Sequence, residues 1–388
     1  IYRLKWNLAL VSVVGVAVLY GLIILGDIFP IVLPETILGM SSAAFWIIVL
    51  FLYAGVASLL PVWMLLQPRD YINGLQLFVG LGLLYLAIFI SNPTVVAPAI
   101  NHNVPEGTPG IMPLLFVTVA CGAISGFHGV VASGTSSKQL NNENDARLVG
   151  YFGAVGEGLL ALGTIVATTS GFATLAAWEE VYSAFNEGGA AAFVQAGGGI
   201  LNAGLAIPES LSATILATMA VLFAATTMDT GVRLQRFVTA EIFELFNIKL
   251  NVFMSTLVVL LTGFALAFSA GGDGRGGMII WPLFGTTNQL LAALTMSILV
   301  VILLRTKRPV WPVLIPLIFV FFVSMYAAII QLGTFIAEGN WLLVVIDAII
   351  LMAAVWVVLA AVSSMVRTRN QPLDLDEQME DISAGSSV

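Results

Sequence analysis

Ten times in 388 residues the chain runs on for most of a helix's length with hardly a charge, and that recurrence decides which solvent it folds in. A helix rises 1.5 Å per residue, so about 20 apolar residues cross the hydrocarbon core of a bilayer. The runs fall near 7–26, 44–66, 75–92, 111–134, 148–170, 211–229, 250–269, 278–304, 309–332 and 341–363. Only 9% of residues are charged, against roughly 25% in soluble domains. A water-facing surface cannot be made from so few charges. Lipid offers the backbone no hydrogen bonds, so spans of this length must be helical. The expected fold class is an all-α polytopic membrane protein with about ten transmembrane helices. A membrane domain is expected over 1–365. An acidic cytoplasmic tail, 366–388, follows and is expected to be disordered, with Asp374, Asp376, Glu377, Glu380 and Asp381 close together.

Charge sidedness gives the orientation. With ten spans both termini share one face, and 13 of the 14 Lys and Arg residues fall on it: Arg3, Lys5, Arg69, Lys138, Arg147, Arg233, Arg236, Lys249, Arg305, Lys307, Arg308, Arg367 and Arg369. Arg275 alone falls on the other side. The positive-inside rule makes the basic face cytoplasmic, in a cell (inner) membrane. The opposite loops, 27–43, 92–110, 171–210 and 333–340, contain no Lys or Arg. The segment 171–210 is Gly-rich, with room for a short helix or re-entrant cover such as AWEEVYSAF at 177–185. No basic cluster suits a nucleic acid, and a single cysteine, Cys121, builds neither a disulfide nor a thiolate metal site. No cofactor is expected. The chain opens at Ile1, and IYRLKW does not read as a signal peptide, so residues are expected upstream.

Ionisable groups inside spans are expensive and mark function by default. Glu157 lies near the middle of its run. Asp229 ends FAATTMDTGVR (223–233), just after Thr226 and Thr227. His128 sits in GFHGVVASGTSSK (126–138), where glycines and hydroxyls interrupt an apolar run. Three segments supplying three polar groups is how a central site in a bundle is built. Each has a plainer reading too. Asp229 could pair with Arg233 at i,i+4, Glu157 could hydrogen-bond a neighbouring helix, and His128 could be a packed neutral imidazole. The glycines Gly122, Gly126, Gly129 and Gly134 could serve only close helix packing. His102, in the outer loop, reads as solvated. Unwound backbone in a membrane is tolerated where it lines a cavity, and carriers use such breaks to hold anionic groups and cations. The segment is therefore expected to be non-helical around 133–136. Gly126, Phe127, His128, Ser133, Gly134, Thr135 and Ser136 form the candidate substrate site. Glu157, Thr226, Thr227, Asp229 and Arg233 form the candidate coupling or gating set.

Four strings carry a resemblance: PVWMLLQPRDYIN (61–73), SGFHGVVASGTSSKQLNNENDARLVGYFGAVGEGLLAL (125–162), TTMDTGVRLQR (226–236) and WPLFGTTNQLLAAL (281–294). Together, in this order, they resemble the carbon starvation protein A family. The resemblance runs from about residue 2 to about 365. It implies a multi-spanning inner-membrane carrier for peptides, or for pyruvate in some members, coupled to protons. It also implies kinship with the amino acid–polyamine–organocation superfamily, so the ten spans are expected to be the remnant of a five-plus-five inverted repeat lacking its first helices. Gly129, Val130, Ser136 and Ser137 stand where the family commonly has Ser, Leu, Thr and Pro.

The expected function is a secondary active transporter of peptides or small carboxylates such as pyruvate, proton-coupled and used in nutrient starvation, not an enzyme. His128 and Glu157 are the expected proton or substrate ligands, since an imidazole and a carboxyl can each take up and release a proton. The near rival is a sodium-coupled carrier with Thr226 and Thr227 as hard oxygen ligands. A membrane-embedded starvation sensor without flux is a third reading. An intramembrane hydrolase with Ser133 or Ser136 as nucleophile is disfavoured, because Ser133 lies at i+5 from His128 and no third group orients a base.

Overall fold

A computed structural model describes residues 7–105, 108, 110–119, 124–183, 189–269 and 271–370. In chain order the elements are α1 (Leu8–Ile28), a small hairpin of β1 (Thr36–Ile37) and β2 (Met40–Ser41), α2 (Ser42–Leu59) and α3 (Leu66–Ser91). An irregular turn, Ile111–Leu115, leads to α4 (Phe116–Val119) and then α5 (Gly126–Gly134). There follow α6 (Asp145–Ser170), α7 (Leu175–Val181), α8 (Gly189–Leu205), α9 (Glu209–Leu245), α10 (Val252–Ala267), α11 (Trp281–Arg305), α12 (Trp311–Ala337) and α13 (Trp341–Asn370).

Among the described residues, eight helices are long and apolar enough to cross a membrane: α1, α2, α3, α6, α9, α11, α12 and α13. Each answers one of the ten expected spans. The chain is a multi-pass, all-α membrane protein. Large apolar side chains such as Phe78, Phe89 and Trp356 stand 71%, 78% and 75% exposed, which is affordable only against acyl chains. The two remaining spans differ from expectation. Instead of one continuous helix, 111–134 holds α4 and α5 in separate pieces. The run 250–269 yields α10, 16 residues long, started by Asn251, whose side chain accepts from the Met254 N–H at 2.8 Å. The expected helix at 177–185 is shifted to α7, and residues 184–188 lie outside the described residues. So do the acidic residues of the tail and Cys121. α13 carries on through Asn370, past the expected end of the membrane domain at 365.

The chain divides into two compact units, residues 1–108 with 150–277 and residues 109–149 with 278–388. In the first, α3, α6, α8 and α9 share a core of Leu84, Ala87, Ala167, Phe193, Ile200, Leu201, Leu216 and Met219. α8 lies wholly within the stretch expected to be loop. It is nevertheless one of the most enclosed elements, because its small residues admit neighbouring backbone. A methyl added at Gly204 would lie 2.4 Å from the Ala87 carbonyl oxygen, and one at Gly197 would lie 2.6 Å from Leu216 Cδ1. Without a hydrophobic drive between helices, such close approach is how lipid-embedded helices hold together.

The second unit is built on α11, α12 and α13, with α5 against α11. Its cores are Ala293, Val300, Leu317 and Val320, and, near the helix ends, Leu283, Phe335 and Leu343. α11 buries Thr286, Asn288, Gln289 and Ser297 along with its apolar residues. That polar stripe carries the local construction of the site.

Candidate functional site

In the second unit the break is real, but it lies ahead of the expected place. Residues 126–134 are helical, so Ser133 and Gly134 belong to α5, and the chain leaves the α-helix at Thr135 before a 3₁₀ turn over Ser136–Gln139. Glycines and hydroxyls suggested unwinding at 133–136. Helix geometry absorbs them instead: the Ser133 hydroxyl donates to the Val130 carbonyl at 3.1 Å and Ser137 donates to Ser133 at 2.8 Å. Ser125 is extended (φ −117°, ψ 126°), and its side chain does not cap the helix that follows. The cap comes from another helix. Asn288 Oδ1 of α11 accepts the Phe127 N–H at 2.9 Å, and the Asn288 amide and Ser125 hydroxyl meet at 3.2 Å. One residue on, Gln289 Nε2 donates to the Ile124 carbonyl at 2.6 Å. The freed backbone of an interrupted span must be satisfied by protein, and here an Asn-Gln pair does it.

This stitching requires contact at backbone distance. A methyl on Gly126 would sit 2.4 Å from the Asn288 carbonyl oxygen and 2.5 Å from the Ala292 nitrogen, and one on Gly129 would sit 2.6 Å from Thr295 Oγ1. Gly126 and Gly129, one turn apart, are thus the face on which α5 packs against α11. Phe127 is half-buried, with its ring centroid 6.4 Å from that of His128. His128 and Ser133 are exposed on the outer faces of α5, and Thr135 and Ser136 are half-buried beyond its end.

In the first unit, α2, α3 and α9 build a charged cluster. Asp229 is fully buried on α9. It does not pair with Arg233; its partner is Arg69 of α3, whose Nη1 donates to Asp229 Oδ2 and to the Tyr53 hydroxyl of α2. Arg69 Nη2 reaches Asp70 at 3.0 Å, and the guanidinium lies 5.9 Å from the Tyr53 ring centroid. Arg233 instead caps α2: its Nη2 donates to the Leu60 carbonyl at 2.7 Å and to Ala57 at 3.4 Å. Arg236 does the same for Ser58 at 2.6 Å. Cations at carbonyl-rich helix ends offset the dipole there. Arg69 of α3 with Asp229, Arg233 and Arg236 of α9 thus fasten three helices where α3 begins.

Polar groups continue along α3. Asn73, one turn from Arg69, donates to Thr226 Oγ1 at 3.4 Å. Gln76, almost one turn further, is fully buried, and among the described residues neither its amide atoms nor the buried Tyr20 hydroxyl of α1 has a hydrogen-bond partner. Orphaned buried amides are rare and costly, which marks this column for a bound polar group or water. The hydroxyls of Thr226 and Thr227 both turn back to the Phe223 carbonyl, at 2.8 and 3.0 Å. Glu157 is half-buried on α6. Sequence reading singled out Asp229, Arg233 and Thr226 but missed Tyr53, Arg69, Asn73 and Gln76. The PRD and N-x-x-Q spacing on one face of a lipid-embedded helix was the available signal.

No group of three or more His, Cys, Asp or Glu able to hold a metal ion occurs among the described residues. Around Asn101, His102 and Asn103, with Trp178, Glu179 and Tyr182, lies a cavity of about 560 Å³, so His102 lines an open hollow and is not isolated on its loop.

Eight long apolar helices among the described residues, with an ion pair buried in one unit and an interrupted span re-stitched in the other, define a polytopic membrane protein. The chain belongs to the carbon starvation protein CstA family, whose model matches residues 1–177 and 172–327. Among curated proteins it is 30% identical to the peptide transporter CstA of Campylobacter jejuni over 76% of this chain and 49% of that protein. It is 30% identical to the peptide transporter CstA of Escherichia coli over 68% of this chain and 46% of that one. It is also 27% identical to the pyruvate/proton symporter BtsT of Escherichia coli, over 82% of this chain and 55% of the symporter. The chain thus spans about half the length of the curated relatives it matches. No solved structure matches it.

Proposed function

We propose that this chain forms much of the membrane core of a secondary active transporter that takes up peptides or small carboxylates such as pyruvate, driven by protons, during nutrient starvation. The observation that carries the reading is the extent of the match. Relatives named as peptide transporters and as a pyruvate/proton symporter align with 68–82% of the chain, across both units. In this reading the segment Gly126–Ser136 contributes to the substrate site. Gly126 admits α5 to α11, which aims Phe127, His128, Ser133, Gly134, Thr135 and Ser136. Asp229, clamped by Arg69, works with Thr226, Thr227 and Arg233 as a gate at the basic ends of α2, α3 and α9. Glu157 belongs to the coupling set. The protein sits in the cell membrane with both termini cytoplasmic.

Counterflow tests this directly. The full-length protein in proteoliposomes preloaded with unlabelled pyruvate, or with dialanine, should accumulate the same compound labelled, and an imposed inward proton gradient should drive net uptake. Absence of both exchange and net uptake for either compound would remove the transporter reading. Uptake that followed sodium and ignored pH would replace the coupling ion.

A further inference from the structure

A further ionisable group lies within a membrane-spanning helix. Asp347 lies six residues into α13, about 9 Å along its axis from Trp341. It is 0% exposed, and neither carboxyl oxygen has a hydrogen-bond partner among the described residues. Its surroundings follow from register. Leu283 of α11, Phe335 of α12 and Leu343 of α13 pack together in one cluster. One turn deeper on each helix stand Thr286, Gln331 and Asp347. Thr286 Oγ1 donates to Gln331 Oε1 at 2.6 Å, and Gln331 Nε2 donates to the Pro282 carbonyl at 2.6 Å. The amide and the hydroxyl are thus committed to each other and to backbone, and the carboxyl at the same depth is left alone.

The charged and titratable groups on the packed elements do not reach it. Arg305 is the far end of α11, 19 residues beyond Thr286. α12 carries only Tyr326, 57% exposed and five residues from Gln331, which puts it on another face. Arg367 lies 20 residues along α13, and Glu338, in the preceding turn, is exposed. The described residues 110–119, which also pack on α11 and α12, contain no ionisable side chain. His128 is on α5, against the part of α11 from Asn288 to Thr295.

A carboxylate sealed from water with neither a donor nor a cation carries a penalty of several kcal/mol, and binding one proton removes the charge. A hard cation in its place would need several oxygen ligands around it; the Thr286 and Gln331 side-chain oxygens at this depth are already engaged with each other. We propose that Asp347 is a proton-binding site of the second unit, and that in the transport reading given above, on which this part rests, its carboxyl carries the coupled proton. Loading requires the helix ends around Leu283, Phe335 and Leu343 to admit water. Release requires the same group to meet water or a cation in another conformation.

Two independent measurements decide it in the full-length protein. Infrared difference spectra between acid and alkaline buffer should show a protonated-carboxyl band that is lost in Asp347→Asn, whether or not the protein transports anything. An unchanged band in that variant overturns the site. In proteoliposomes Asp347→Asn should lose accumulation driven by a pH gradient while retaining substrate counterflow, and Asp347→Glu should keep accumulation with a displaced pH profile. Wild-type accumulation in Asp347→Asn, or a defect relieved by sodium, overturns the coupling role while leaving the transporter reading intact. A wild-type protein with no flux removes that reading, and the infrared result still decides the proton site. Should neither variant insert, wild-type acid-minus-alkaline spectra without any protonated-carboxyl band overturn the proposal.

Discussion

The Arg69–Asp229 clamp is lopsided, and the lopsidedness can be measured. Arg69 has three acceptors, Tyr53, Asp70 and Asp229, and its side chain is 18% exposed; that of Asp229 is 0% exposed and, among the described residues, has Arg69 as its one ion-pair partner. Arg69→Gln therefore strands a charge in a sealed place, which costs about 3–5 kcal/mol. Escape by protonation would cost about 1.4 kcal/mol for each pH unit above an ordinary aspartate pKa near 3.9, or roughly 5–6 kcal/mol at pH 8. The smaller figure, the stranded charge, sets the loss. Asp229→Asn leaves Arg69 with Asp70, Tyr53 and some solvent, and an amide oxygen still accepts, so about 1–2 kcal/mol is expected. Asp70→Asn touches a side chain that is 43% exposed and should cost less than about 1 kcal/mol. Removing both charges together, Arg69→Met with Asp229→Leu, should be milder than Arg69→Gln alone, since no buried charge is left over. Reversible unfolding of the detergent-solubilised full-length protein at pH 8 gives the order. Equal losses for Arg69→Gln and Asp229→Asn, or a double variant worse than Arg69→Gln, would refute the reasoning.

Two further outcomes are expected. Gly126→Ala should cost about 3 kcal/mol or more because the new methyl meets main-chain atoms that cannot yield, whereas Gly156→Ala, with open space around it, should be neutral or gain about 0.5–1 kcal/mol; melting curves compare the two. In a Cys121→Ser background, Ser183→Cys and Asn340→Cys should react with an impermeant thiol reagent added to intact cells and Lys307→Cys should not, and labelling of Lys307→Cys would invert the charge-based orientation.

Hydropathy made the long helices legible because lipid punishes an unpaired backbone so heavily that length and composition alone select the helix. Where a segment is covered by protein, that rule no longer speaks. α8 has too many glycines to register as a span, and those same glycines bring it within backbone distance of α3 and α9. In 111–134 the apolar run is continuous on paper. It breaks because Asn288 and Gln289, more than 150 residues away, offer the freed groups better partners. Partner choice was the least legible feature. Asp229 and Arg233 are adjacent on α9, and sequence spacing favours their pairing, but α3 and α2 lie nearer to each charge than the two charges lie to one another. Asp347 obeyed the same rule that drew attention to Glu157, an acid inside an apolar run, and was overlooked.

The cap that α11 lends to α5 has a consequence for the order in which the protein is assembled. α5 is nine residues long, and isolated helices shorter than roughly 12–15 residues are marginal even in favourable sequences. Its first turn is secured by a side chain 161 residues further along the chain. At about 5–20 residues per second, a ribosome takes on the order of 10–30 s to cover that distance. For that interval GFHGVVAS has left the ribosome without the group that ends its strand-like approach and starts its helix. The segment must be sheltered by the insertion machinery or lie at the membrane surface until residues 281–305 arrive. Helix α11, one of the later spans to be made, thus completes a part of the molecule translated much earlier.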